Sequence, residues 1–208
     1  MLRESMRTIF VGLLIVAAIG IVRVSEAAPI TFTAVLDGAS ENPPNASPGT
    51  GTATVIIDLD TGFSTVGTMR VMAEFENLIG NTTAAHIHCC TPPPNNAGVA
   101  TQVPLFEGFP LAVTSGSYDH TFDLADEDTF NPTFLITNGG TAEGATAALV
   151  AGLQAGQAYF NIHTDFVTAG EIRGFLTAEQ DNSVPEPGMV ALLALMAWGT
   201  WFAIRRRH

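Results

Sequence analysis

The sequence predicts a mainly β fold, an antiparallel sandwich or barrel of Greek-key type with one short helix. Several short segments alternate apolar residues with polar ones, which is the pattern of strands that place one face on a core. Clusters of Pro, Gly and Asn separate these segments and predict turns. Residues 141–153 break the alternation with an alanine-rich run that favours a helix.

Seven strands are expected from this alternation, most of them rich in Thr, Val, Ile or aromatic residues. They lie at residues 30–36, 51–58, 68–78, 84–90, 116–124, 158–164 and 171–177. The helix is expected to begin after Thr141, whose hydroxyl can cap its first turn, and to stop before Gly156. Many short strands joined by turn-rich loops favour the sandwich or barrel.

The charge of the chain argues against one class of partner. With 208 residues, the chain is long enough for one domain of about 150 residues and extra segments. Residues 30–180 contain 16 acidic residues and two arginines, a net charge of about −14. Such a surface repels phosphate backbones, so we expect no nucleic-acid partner. It suits a solvated exported protein or one that attracts cations.

The N-terminal segment predicts export. Two arginines precede an apolar run at residues 9–22, and Ser25 and Ala27 supply the small residues of a cleavage site. This order is typical of a secretory signal peptide, which we assign to residues 1–27, although a retained N-terminal anchor shares much of the pattern. Residues 28–180 then form the exported domain, and its cysteines meet an oxidising compartment.

The C-terminal segment, residues 181–208, has three parts. An apolar run at residues 188–204 is just long enough for a transmembrane helix. A Pro-Glu-Pro motif precedes it and an arginine cluster follows, which would hold the C-terminus in the cytoplasm. The motif is Pro185, Glu186 and Pro187, and the cluster is Arg205, Arg206 and Arg207.

This three-part tail resembles the PEP-CTERM sorting signal of Gram-negative bacteria that produce exopolysaccharides. The resemblance implies a membrane-anchored precursor, a processing peptidase of the exosortase type as partner, and delivery to the cell surface or extracellular matrix. An ordinary C-terminal anchor shares the apolar run and the arginines, but not the Pro-Glu-Pro motif.

Two histidines in a predicted strand are separated by a single residue. His86 and His88 would point to the same face, because side chains alternate along a strand. Neutral imidazole is the commonest metal ligand, so a third partner would make a metal site. If the last two strands form a hairpin, that partner is His163. The alternative is a hydrogen-bonded histidine cluster that only joins strands.

The same hairpin predicts the surroundings of His163. Glu171 would face it across the turn and accept a hydrogen bond that fixes its tautomer. Asn161 would share the face of His163, and Arg173 would lie beside Asn161.

Cys89 and Cys90 are the two cysteines of the chain and are adjacent. Outside the cytoplasm they can form a vicinal disulfide, which we favour as a stiffener of the loop. A thiolate metal ligand and a bridge between chains are the alternatives.

Most of the domain resembles the CHRD domain, a module named from chordin and found in many microbial secreted proteins. The similarity covers about residues 30–178. It rests on FTAVL at 32–36, ENPP at 41–44, AHIH at 85–88, LVAGL at 149–153, YFNIHT at 159–164 and GEIRG at 170–174. It implies an immunoglobulin-like β-barrel with a faint likeness to copper–zinc superoxide dismutase and leaves the molecular function open.

The dismutase likeness implies copper ligands at His86, His88 and His163, and a substrate-guiding cation at Arg173. No histidine lies between His88 and His120, so the bridging imidazole and the zinc ligands are missing. A complete dismutase is therefore not expected, and what the likeness leaves is a mononuclear site for copper or zinc.

Two functions from different classes follow. The first is an exported, surface-sorted protein that binds a partner such as an extracellular polymer, or has a matrix role, with no evident catalysis. The second is a copper-dependent redox protein that uses the three histidines. A self-associating biofilm scaffold is a third hypothesis and rests on the sorting tail alone. Neither a nucleophile elbow nor a phosphate-binding loop pattern is present in the sequence.

Overall fold

Eight antiparallel strands carry the fold in a computed structural model that describes residues 28–59 and 66–179. Their bounds are β1 Ile30–Asp37, β2 Thr50–Leu59, β3 Gly67–Glu76, β4 Thr82–His88, β5 Gly116–Asp123, β6 Tyr159–Thr164, β7 Ile172–Phe175 and β8 Thr177–Ala178. Every predicted strand is present, so the mainly β, antiparallel prediction is confirmed.

The strands form one curled sheet, a half-barrel, in the order β4-β6-β7-β1-β2-β3-β5, with β8 paired to β1. The predicted sandwich or barrel is therefore confirmed as mainly β and antiparallel, but the strands form a half-barrel instead of two packed sheets. Strand β1 pairs with β2 along its whole length and with β7 and β8 on its other side. This continuity joins the described strands into a single sheet instead of two packed ones.

Strand alternation places the core on one face of the sheet. In β3, Met69, Val71 and Phe75 are buried, while Arg70 and Glu74 are exposed. The buried side chains contact others from β1, β2 and the helices in one continuous cluster. Removing this apolar surface from water is the main term that stabilises the fold.

Two α-helices are present among the described residues, where the sequence predicted one for the domain. Helix α2, Ala142–Gln154, is the predicted helix, and the hydroxyl of Thr141 accepts a hydrogen bond from the Gly144 amide at its start. Helix α1, Pro132–Thr137, was not predicted. Asn131 caps α1, so an Asn-Pro start was the overlooked signal. A 3₁₀ turn, Glu127–Thr129, precedes it.

The predicted strand at residues 171–177 is divided. Its residues form β7 and β8, separated at Leu176, whose side chain is buried and whose amide donates to the Ala158 carbonyl. Only glycine fits at position 174, because a Cβ there would clash with the backbone of Val35 in β1.

The two ends of the chain lie outside the described residues. These ends contain the predicted signal peptide at residues 1–27 and the sorting tail with its predicted membrane helix at residues 188–204. Among the described residues, no helix is long and apolar enough to cross a membrane.

Candidate metal centre

Two neighbouring strands bring the three predicted histidines together. In the β4–β6 pair His86 is opposite Asn161 and His88 is opposite Tyr159, so His163 is diagonal to His86 on the same face. One ring nitrogen from each histidine lies within 4.8 Å of the other two. The ring centres of His86 and His163 are 5.2 Å apart. His163 therefore lies beside His86 and His88, as the hairpin predicted.

Each of the three imidazoles bonds a backbone carbonyl through one ring nitrogen. The pairs are His86 Nε2 with Pro104 at 2.7 Å, His88 Nδ1 with Ala97 at 2.9 Å, and His163 Nδ1 with Thr168 at 3.0 Å. A carbonyl only accepts, so each bonded nitrogen carries the hydrogen. The other nitrogen of a neutral ring is then a bare acceptor.

These three bare nitrogens are buried and have no hydrogen-bond partner among the described residues. They are Nδ1 of His86, Nε2 of His88 and Nε2 of His163. A metal ligand needs this arrangement, in which one nitrogen is free and the other is oriented by a second group. These three loop carbonyls thus determine the tautomer of each histidine.

The protonation state also suits a metal. Burial lowers the pKa of His86 and of His88 to about 4, against the smaller opposing effect of the carbonyl hydrogen bonds. Burial lowers the pKa of His163 as well. The three rings are therefore neutral at pH 7, which is the form that binds a transition metal.

The spacing requires an adjustment on binding. Zinc–imidazole bonds are about 2.0–2.1 Å long, so two ligands of one tetrahedral ion are about 3.4 Å apart. A pair of nitrogens at the observed limit of 4.8 Å would close by about 1.4 Å, which side-chain rotations of the two histidines can share. Three protein ligands leave a coordination position for water or another small ligand.

Glu171 does not orient His163, contrary to the prediction. Its carboxylate accepts from two hydroxyls and two backbone amides, and Nδ1 of His163 bonds Thr168 instead. The four donors are Ser47 Oγ at 2.6 Å, Ile79 N at 2.6 Å, Gly80 N at 3.1 Å and Thr164 Oγ1 at 2.7 Å. Glu171 therefore joins two loops to the end of β6 beside the site, because three donors from the loops and one from β6 point at its carboxylate.

Asn161 and Arg173 lie where the sequence placed them, opposite each other in the β6–β7 pair. The Oδ1 atom of Asn161 is buried without a partner. The guanidinium of Arg173 is 1% exposed. It donates to three oxygens, namely Ser40 O at 2.6 Å, Asn96 Oδ1 at 2.6 Å and Pro94 O at 2.8 Å. Arg173 thus ties the loop of Ser40 to the loop of Pro94 and Asn96, and the Ala97 carbonyl of the second loop bonds His88.

Tyr159 is a neighbour of the site that the sequence did not single out. Its ring stacks on His88 with centres 4.8 Å apart and planes 6° from parallel. Its hydroxyl accepts from the Ala97 amide and donates to the Ala97 carbonyl, the same carbonyl that bonds His88. The only sequence signal was its position two residues before Asn161 on the same face.

The cysteines lie apart from the nitrogen cluster. Cys89 and Cys90 form the vicinal disulfide. Cys89 is buried, and the pair packs against α2 where a Cβ on Gly152 would be 2.5 Å from Cys90 Sγ. Neither cysteine belongs to the group of ring nitrogens, which is formed by the three histidines alone among the described residues.

Comparison with known proteins gives one match. Residues 32–176 match the family model described as CHRD domain. No curated protein and no solved structure matches the sequence.

Proposed function

We propose that this chain, which belongs to the CHRD domain family, is an exported metal-binding protein. His86, His88 and His163 would hold one copper or zinc ion. The family itself points to an extracellular domain of the binding type, and a metal site gives such a domain a defined ligand.

One observation carries the proposal. Three imidazoles from two strands each use one nitrogen for a loop carbonyl, and their remaining nitrogens are buried and unpartnered. One ring nitrogen from each histidine lies within 4.8 Å of the other two. Each unpaired buried acceptor costs about 1–3 kcal/mol of desolvation. A histidine cluster that only joined strands would be expected to pair both nitrogens of its rings, whereas a metal satisfies all three acceptors at once.

The donor set is compatible with copper and with zinc. Imidazole binds both ions well, and three imidazoles with one open position are a known zinc arrangement. When bound, the ion would supply a Lewis-acid centre, or a redox centre if it is copper. Asn161 and Tyr159 border the ligands, and the loop carbonyls keep the rings in one orientation.

The two ends of the chain support a proposed cellular location. Residues 1–27 would direct export, and the tail at residues 181–208 would pass the chain to an exosortase-type peptidase at the membrane. The acidic domain, with a net charge of about −14 over residues 30–180, would then lie at the cell surface or in the matrix. Mass spectrometry of the exported protein tests this by locating the termini, expected after Ala27 and near Pro185. Intact termini in a host that has the peptidase would contradict it.

Bound metal is the direct test of the proposed function. The full-length chain would be exported to a periplasm, purified, supplied with copper or zinc, and its metal content measured by mass spectrometry. We expect about one ion per chain in the wild type and a small fraction of that in the double variant His86→Ala/His163→Ala.

His120→Ala is the matched control, because His120 lies on β5 outside the cluster and should keep the metal. Metal far below one ion per chain in the wild type would overturn the proposal. So would a double variant that retains it while circular dichroism shows a native fold.

A further inference from the structure

We infer that the buried guanidinium of Arg173 biases the histidine site toward a monovalent ion, Cu(I), over divalent ions. The inference rests on the proposed function, because it concerns the charge that the same three ligands accept. It adds a specificity-determining residue that does not itself touch the metal.

Arg173 is connected to the site through Tyr159. The guanidinium carbon lies 4.6 Å from the centre of the Tyr159 ring, and His88 stacks on the same ring at 4.8 Å. Strand β6 lies between β4 and β7, so His88 and Arg173 approach Tyr159 from opposite sides. These two spacings place the guanidinium carbon no more than about 9.4 Å from the centre of the His88 ring.

The ligands bring no negative charge to the ion. All three are neutral imidazoles, and no described carboxylate or thiolate joins their ring nitrogens. The carboxylate of Glu171 is turned to its four hydrogen-bond donors. A divalent ion would therefore place a charge of nearly +2 in a partly desolvated site, whereas a monovalent ion would place a charge of only +1 there.

The positive charge of Arg173 is permanent and only partly compensated. A guanidinium stays protonated in proteins, and this one is almost completely buried. Glu41 is its one ion-pair partner among the described carboxylates, at 3.7 Å from Nε. Asp37, opposite Arg173 in the β1–β7 register, accepts from the Ser40 amide instead. Burial raises the pKa of Glu41 to about 7, so near neutral pH the compensation is incomplete.

The expected size of the bias follows from Coulomb's law. One unit charge at about 10 Å, at an effective dielectric constant of about 20, changes the preference between a monovalent and a divalent ion about tenfold. Removing the cation should lower the preference for Cu(I), and removing the carboxylate of Glu41 should raise it. Opposite shifts from two neighbouring variants are a charge effect that loss of packing does not produce.

The test compares Cu(I) and Cu(II) affinities of the full-length chain at pH 8, where Glu41 is mostly ionised. Each affinity would be measured by competition with a chromophoric chelator, without oxygen for Cu(I). Arg173→Gln should shift the ratio of the two Kd values about tenfold toward Cu(II). Glu41→Gln should shift it toward Cu(I). Arg70→Gln, which removes an exposed arginine paired with Asp119, is the matched control and should leave the ratio unchanged.

The outcomes separate the two claims. If the wild type binds copper and both variants keep its ratio within twofold, or shift it in the same direction, this inference is overturned and the metal site stands. If the wild type binds no copper in either state, the proposed function falls and the inference falls with it. If Arg173→Gln does not fold, the shape-conserving Glu41→Gln variant decides alone.

Discussion

Protonation of His86 should destabilise the metal-free fold in acid, and the variant His86→Gln removes this effect. Burial lowers the pKa of His86 to about 4 from its ordinary value of 6.5. Between these two values the unfolded chain binds a proton that the folded chain does not. The contribution of His86 to folding stability is therefore complete above pH 6.5 and is lost as the pH falls toward 4.

The magnitude follows from the difference of 2.5 pH units between the two pKa values. At about 1.36 kcal/mol per unit, His86 should reduce the free energy of unfolding by about 3 kcal/mol between pH 7 and pH 4. The ring is 7% exposed, so solvent screening reduces this value little. Glu41 acts in the opposite direction, since its folded pKa is raised, but its contribution is the same in both proteins.

The assay is urea unfolding of both proteins in chelator at pH 7, 6, 5 and 4. The stability of the wild type relative to His86→Gln should fall by about 3 kcal/mol over this range. A wild-type-to-variant difference that stays constant within about 0.5 kcal/mol from pH 7 to pH 4 would refute the burial argument.

Three further substitutions test the surroundings of the site, each by urea unfolding and metal content. Tyr159→Phe keeps the stacked ring and loses both hydrogen bonds to Ala97, so we expect the free energy of unfolding to fall by about 1–2 kcal/mol while copper stays bound. A loss of copper with a native fold would show that the hydroxyl is needed for binding. Glu171→Ala leaves four donors without their acceptor and should lower the free energy of unfolding by at least about 3 kcal/mol, again with the metal retained. An unchanged midpoint of urea unfolding would contradict the role given to the carboxylate of Glu171. Gly152→Ala places a Cβ against the disulfide and should lower the free energy of unfolding by about 1–3 kcal/mol. An unchanged free energy of unfolding would show that α2 is not closely packed against the disulfide.

The histidine cluster could be predicted because strand geometry determines it. Alternation in β4 places His86 and His88 on one face, and the hairpin places His163 beside them. Only local pattern was needed for the strands and for α2. The cap of α1 at Asn131 was equally local and was overlooked.

The rest of the site depends on contacts between distant segments, which a sequence pattern does not contain. Glu171 was paired with His163 by register, but donors from residues 47, 79, 80 and 164 surround its carboxylate instead. The carbonyls that choose the histidine tautomers come from loops, and every residue type has such a carbonyl. The single sheet likewise follows from the pairing of β1 with β7, far apart in the chain.

X-ray absorption by the copper-loaded full-length chain tests the histidine site most directly, because it reports the ligand atoms themselves. The account predicts about three nitrogen neighbours at about 2.0 Å with the outer-shell scattering of imidazole rings. This pattern should disappear in His86→Ala/His163→Ala. A sulfur neighbour near about 2.3 Å would instead place the metal on cysteine or methionine sulfur, and a first shell of oxygens alone would show that the histidines do not bind it.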